Sequence, residues 1–310
     1  MAKDNLDRAR ARKDDEFYTT YETVEKELCH YSFKGLRVYC PCDGEQSAFW
    51  KYFHDSFHSL GLKALVATEL NGSYMRYDGA GVIRSILNGG GDFRSEECIS
   101  ILKESDVIIT NPPFSLMREF LNLIYRYKKK FLVIGSQNVI TYKETALRLV
   151  EGVFWTGVNY GDMAFRVPPD SEPRETRFWV DGSGQKWRSF GNMCWFTNLG
   201  HDRRNLPLLL SESYSESKYS KYDHYDAIEV SKVSLIPRNY DGVMGVPITF
   251  LFKWNPEQFD VMGTSRYHDG SFDEADDIAV LNGKTLYMRI LIRKKNIKVK
   301  ENKDLFSMFR

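Results

Sequence analysis

The sequence predicts an α/β fold: a parallel sheet covered on both faces, followed by a smaller α+β module. Three observations carry this reading. Short apolar runs alternate with segments at helical spacing through residues 36–135. Each run stops at a turn former or a carboxylate, at Pro41, Glu69, Asn111 and Gly135. After Glu151 the alternation gives way to isolated β-like runs set among polar stretches. The expected organisation is a basic N-terminal arm over 1–14, a main domain over 15–205 and a second module over 206–310.

In chain order, 21–31 reads as a short helix, with Val24 and Leu28 one turn apart. Residues 36–40 form a strand ending at Pro41. Residues 47–60 form one helix with Phe49, Phe53 and Phe57 on a single face, closed by Gly61. A second strand covers 64–68, a helix 98–103, a buried strand 106–110, a helix 115–127 and another buried strand 130–135. Segments 153–155 and 191–196 suit an antiparallel pair finishing the sheet, and 246–252 reads as an isolated β-run. Ligands of such sheets bind outside the carboxyl ends of the strands. The loops at 41–44, Glu69, Asp92 and 111–114 should therefore line one crevice.

Composition narrows the function classes. In 310 residues the net charge is +1, which excludes a generic polycation but not a basic face balanced elsewhere. No apolar run is long enough to cross a bilayer, and the N-terminus leads into charge rather than a signal-type apolar stretch. Five cysteines in no metal-ligand spacing imply a reduced, cytoplasmic protein. Six histidines show no zinc spacing, so no metal is expected. Gly89-Gly90-Gly91 is followed by no Lys-Ser/Thr, which argues against a nucleotide triphosphatase.

The stretch that carries chemistry is Asn111-Pro112-Pro113-Phe114, delivered by a buried strand to the ligand edge of the sheet. A strand-terminating turn would explain the Asn and the prolines, but not an aromatic held directly after them. An exocyclic adenine amine is a poor nucleophile because its lone pair is delocalised into the ring. The Asn111 side-chain oxygen and the Pro112 carbonyl can accept both amine hydrogens and favour a more tetrahedral nitrogen. The prolines stiffen the loop that aims them. Phe114 can stack on an extruded base, worth about 1–3 kcal/mol against the few kcal/mol that unstacking costs.

Asn111-Pro112-Pro113-Phe114 resembles the motif of amino-methyltransferases that use S-adenosylmethionine. Asp15-Glu16-Phe17-Tyr18-Thr19, Val38-Tyr39-Cys40-Pro41-Cys42-Asp43 and Asp241-Gly242-Val243-Met244-Gly245-Val246-Pro247 narrow the likeness, as does Trp254-Asn255-Pro256-Glu257-Gln258-Phe259. Over about 15–263 the chain resembles the EcoRI-type adenine-specific DNA methylases. That resemblance implies a Rossmann-like methyltransferase sheet and a C-terminal target-recognition module. It implies N6-methylation of an adenine flipped from double-stranded DNA by a monomer, with a cognate restriction endonuclease as a possible partner.

By the same resemblance, Asn111, Pro112, Pro113 and Phe114 are catalytic, and Asn111 also touches the cofactor. Tyr18 and Thr19 lie near the methionine end of S-adenosylmethionine, and Pro41, Cys42, Asp43 and Gly44 form its first loop. Glu69 accepts its ribose hydroxyls, Asp92 accepts from its adenine amine and Phe93 packs that ring. Cys40 departs from the pattern, standing where an Asp often precedes the Pro, and Glu45-Gln46 replaces the second glycine region. For DNA contact the candidates are His201, Arg203 and Arg204, in a charged loop that grips phosphate or is merely solvated, and Arg238 and Asn239 beside the 242–245 glycines. The rival functions are methylation of another amine, in RNA adenine or protein glutamine, and a catalytically silent DNA-binding relative.

Overall fold

Four parallel strands form the centre of the main sheet: Arg37–Pro41 (β1), Ala64–Thr68 (β2), Val107–Thr110 (β5) and Lys130–Ser136 (β6). The computed structural model describes residues 17–268 and 277–295. The expected N-terminal arm and Asp15-Glu16 lie outside the described residues. Two further strands, Ser73–Tyr77 (β3) and Val82–Ile86 (β4), extend one edge as an antiparallel hairpin. Trp155–Arg166 (β7) and Lys186–Thr197 (β9) complete the other edge, with Phe178–Val180 (β8) paired to β9. The order is β4-β3-β2-β1-β5-β6-β9-β7. The chain leaves β1 towards β2 on one side and reaches β5 on the other, so the sheet's switch point lies at the β1 and β5 ends.

Alternation within the buried strands builds the two faces. Val38, Cys40, Leu65, Ala67, Val107 and Ile109 enter one core with Val24 and Leu28 of helix Tyr21–Leu28 (α1) and Phe49 and Phe53 of helix Ala48–Asp55 (α2). On other helices, Cys98 and Leu102 of Glu96–Glu104 (α4) and Phe120 and Ile124 of Met117–Arg126 (α5) are buried.

The helix expected over 47–60 is two helices. It breaks at Ser56 (φ −99°, ψ 10°), and Phe57–Leu60 (α3) follows. His54 Nδ1 pairs with the Asp55 carboxylate, and Asp55 and Ser56 are weak helix formers whose side chains compete for backbone partners. Phe49, Phe53 and Phe57 are nevertheless all buried, and Gly61 closes the turn at φ 63°. Another expected strand, over 246–252, is also corrected. Val243–Pro247 is the strand, and Ile248–Lys253 is a 3-10 helix. Pro247 lacks the N–H to carry a ladder further.

The described residues form two compact units, 17–145 with 153–203, and 146–152 with 204–268 and 277–295. The second unit holds its own sheet. Ala227–Glu229 (β10), Val243–Pro247 (β11), Arg289–Lys294 (β15) and Phe259–Thr264 (β12) lie in that order. A small hairpin, Val280–Leu281 (β13) with Lys284–Thr285 (β14), stands beside it in sequence. Arg289 is ion-paired to Glu229 at 2.8 Å across the sheet, and Tyr222 donates to the same carboxylate at 2.6 Å. In the first unit, buried Glu27 accepts from Tyr31 Oη and from the backbone N–H groups of Val158 and Asn159. Four donors satisfy its charge, and the contacts bolt α1 to a bulged stretch of β7.

Candidate active site

A cavity of about 610 Å³ opens at the carboxyl edge of the first unit's sheet. Its walls come from separate elements: 17–19 before α1, 42–44 and 46–49 after β1, 69–71 after β2, 111–114 after β5 and 166–169 at the end of β7. The direction of β7 follows from its pairing. It is antiparallel to β9, which is antiparallel to β6, so the carboxyl end of β7 faces the same edge as β5 and β6. Segment 17–19 is held there by an isolated bridge. Tyr18 N donates to Arg166 O at 2.8 Å, and Arg166 N donates to Tyr18 O at 3.0 Å.

The loop after β1 turns sharply. Cys42 has φ 66°, unusual for a residue with a side chain, and the next amide, Asp43 N, donates to Thr68 O at 3.0 Å. A Cβ at Gly44 would lie 2.0 Å from Glu69 Oε1, so glycine there leaves the Glu69 carboxylate in place. Ser47 then caps α2, accepting from Trp50 N at 3.0 Å, so the helix N-terminus adjoins the cavity. Asp43 is buried, and its carboxyl accepts from Thr110 Oγ1 at 2.7 Å. Burial pushes its pKa up to about 7; hydrogen bonds from Thr110 and Ser47 oppose the rise, and the Glu69 charge adds to it.

At the end of β5, Asn111 Nδ2 donates to the Phe17 carbonyl at 2.7 Å. That carbonyl can only accept, so it takes the amide nitrogen and turns Oδ1 the other way. Asn111 Oδ1 is shielded from solvent and has no hydrogen-bond partner. Phe114 stacks on Phe17 with ring centroids 5.1 Å apart, so one of its faces is already covered. Phe165 and Phe190 pack edge-on around this pair, and the Arg188 guanidinium lies 5.5 Å from the Phe17 ring centroid. Thr19, 6% exposed, also carries an unpartnered hydroxyl.

The structure thus brings together Tyr18, Thr19, Cys42, Asp43, Gly44, Glu69 and the whole of Asn111-Pro112-Pro113-Phe114 as cavity wall. Pro41 sits behind them as the last residue of β1, its carbonyl accepting from Thr110 Oγ1. Asp92 and Phe93 do not line the cavity. Asp92 is ion-paired to Arg94 at 2.7 Å, and Phe93 is 3% exposed with its ring edge-on to Phe120. Their neighbour Gly91 supports the site instead, its φ of 72° allowing the Glu69 carbonyl to pass where a Cβ would stand.

The candidates for DNA contact separate. Arg203 is exposed. His201 packs edge-on against Tyr31 with centroids 5.8 Å apart. Arg204 is half-buried: it lies 4.3 Å from the Trp254 ring centroid and donates to the Trp254 carbonyl at 2.6 Å. Burial drops its pKa to about 10. Asn239 Oδ1 accepts from Tyr214 N at 2.7 Å, whereas Arg238 is exposed.

Phe17 and Arg166 are site residues that sequence reasoning missed. The Tyr18–Arg166 bridge that holds them together pairs positions 148 apart in the chain, which leaves no local signal. Groups of three or more His, Cys, Asp or Glu able to hold a metal are absent among the described residues. No described helix is long and apolar enough to cross a membrane.

Comparison with known proteins gives one consistent answer. The family model described as adenine-specific methyltransferase EcoRI matches residues 5–82 and 78–295. The Type II methyltransferase M.EcoRI of Escherichia coli is 42% identical, over 94% of this chain and 97% of its own length. M.MpnI of Mycoplasma pneumoniae is 38% identical, over 94% of this chain and 98% of its own length. M.MgeORF184P of Mycoplasma genitalium is 33% identical, over 94% and 99%. No solved structure matches.

Proposed function

Because the chain belongs to the EcoRI family of adenine-specific methyltransferases, we propose that its cavity holds S-adenosylmethionine and receives an adenine flipped from duplex DNA, for methylation at N6. The observation that carries this reading is Asn111. Its nitrogen is spent on the Phe17 carbonyl, and its oxygen is left buried and unpartnered in the cavity wall. An unmatched buried acceptor is costly unless a ligand donor fills it. The exocyclic amine of adenine is such a donor.

The residues also fit the cofactor. Gly44 opens room over the Glu69 carboxylate, which can accept from ribose hydroxyls, and the Thr19 hydroxyl awaits a partner. S-Adenosylmethionine, when bound, supplies an electrophilic methyl. The chain's part is to orient and activate the amine. Asn111 Oδ1 and the Pro112 carbonyl accept its two hydrogens, which localises the lone pair on nitrogen. Phe114 presents its free surface to the base while Phe17 backs the other face. Methyl transfer would form the N–C bond as the sulfonium S–C bond breaks, leaving the cofactor as a neutral thioether, and one amine proton would pass to water.

The family and the Type II relatives favour a role in restriction–modification, with a cognate endonuclease cutting the same site when it is unmethylated. We place target recognition in the second unit and read the enzyme as a cytoplasmic monomer, one per site; of the candidate DNA contacts, Arg203 and Arg238 are exposed arginines. The test is Asn111→Ala. It should abolish methyl transfer to duplex DNA, by at least about a hundredfold, while cofactor affinity stays near wild type. Labelled cofactor with DNA, RNA and protein acceptors identifies the substrate. Wild-type turnover in Asn111→Ala, or label on RNA or protein alone, would reject the reading.

A further inference from the structure

Arg166 is the last residue of β7 and forms part of the cavity wall. Its backbone is fixed on both sides, by Tyr18 through two hydrogen bonds and by Trp187 in the β7–β9 ladder. Its Nε is shielded from solvent and has no hydrogen-bond partner, and no carboxylate among the described residues is ion-paired to it. The other sheltered guanidinium groups behave differently. Arg94 is paired to Asp92 and Glu119, Arg289 to Glu229, and Arg204 donates to a carbonyl. A shielded N–H without an acceptor is costly, and a planar guanidinium fork matches a carboxylate in two-point fashion.

The residue bonded to it, Tyr18, is followed directly by Thr19, whose hydroxyl is buried and also lacks a partner. Two unmatched donors thus enter one cavity from the β7 side. The cavity's own carboxylates, Asp43 and Glu69, come from the ends of β1 and β2, at the far side of the strand order. An anion is repelled there and attracted at Arg166. S-Adenosylmethionine carries one carboxylate, on its amino-acid end. We propose that Arg166, with the Thr19 hydroxyl, binds the α-carboxylate of the cofactor. This rests on reading the cavity as the cofactor pocket. It makes Arg166 the residue that separates complete cofactors from adenosine fragments.

The experiment is calorimetric binding of two ligands to the full chain without DNA. S-Adenosylhomocysteine and 5′-methylthioadenosine share the adenosine and the sulfur, but only the first has the amino-acid end. Arg166→Gln should weaken S-adenosylhomocysteine by about 10- to 100-fold, the range of charge-assisted hydrogen bonds, and leave 5′-methylthioadenosine within about twofold. Arg166→Lys should recover part of the loss, and Thr19→Val should weaken only the first ligand. Equal losses on both ligands would overturn the inference, because the side chain would then be supporting the fold. So would unchanged ligand binding accompanied by weaker binding to DNA, which would make Arg166 a phosphate contact. Failure of wild type to bind either ligand would overturn the cofactor reading itself, and the role of Arg166 with it.

Discussion

Asp43 shows how one side chain couples the loop after β1 to pH. Its ordinary carboxyl value is 3.8, and burial lifts it to about 7 in the folded chain. Between those values the folded state binds more protons than the unfolded state. The stabilisation this gives is present at low pH and is lost as pH rises through about 7. Thr110 accentuates the point: its single hydroxyl proton faces both Asp43 Oδ2 and the Pro41 carbonyl. A protonated Asp43 brings a second proton to that trio. Asp43→Asn cannot ionise, so its melting temperature should gain on wild type from pH 5 to about pH 7 and then level off towards pH 8. Parallel melting curves for the two proteins across that range would show that Asp43 keeps its ordinary pKa in the fold.

At the scale of elements, what was legible in the sequence was local. The parallel strands announced themselves by continuous apolar runs and hard stops, as at Thr110-Asn111 and Ala67-Thr68-Glu69. The β3–β4 hairpin was missed because β4 is mostly exposed and lacks a clean alternation; Asp78-Gly79-Ala80-Gly81 between its strands was the available signal. Phe17 and Arg166 were not legible because a bridge between distant segments carries no periodicity. Asp92 and Phe93 sit in a turn whose sequence suits ligand binding equally well, and only packing reveals Arg94 and Phe120 as their partners.

The two glycines around Glu69 separate site from scaffold. A Cβ on Gly44 meets only the flexible end of Glu69, so Gly44→Ala should displace that carboxylate and weaken cofactor binding by about tenfold, with little change in melting temperature. A Cβ on Gly91 meets the Glu69 backbone oxygen at 1.7 Å from a left-handed φ of 72°. Gly91→Ala should therefore destabilise the fold by more than about 1 kcal/mol. Calorimetry and thermal melts on both variants check the contrast. A reversed pattern would mean that the Gly44 turn serves the fold and not the pocket.

At the scale of the whole molecule, a net charge of +1 leaves DNA affinity to local cations and not to the overall field. In the second unit, Arg238 and Asn239 are neighbours with different duties. Asn239 Oδ1 holds the Tyr214 backbone amide, beneath a ring contact in which Tyr214 and Tyr240 centroids are 4.6 Å apart. The Arg238 backbone is anchored at both ends, its N–H donating to Glu212 O and its carbonyl accepting from Lys294 Nζ, while its side chain is exposed. A cation on so fixed a backbone suits a phosphate, which fixes position without reading sequence. Arg238→Ala should weaken binding equally on cognate and scrambled duplexes and lower the salt slope by about one. Asn239→Ala should leave that slope intact and cost about 1 kcal/mol of stability through the freed Tyr214 amide. Affinity titrations over a salt series, with thermal melts, read both variants. If Arg238→Ala instead relaxes sequence preference by about 1–3 kcal/mol at one base pair, the guanidinium reads a base edge. If it changes neither affinity nor slope, the DNA path must run past other cations such as Arg203.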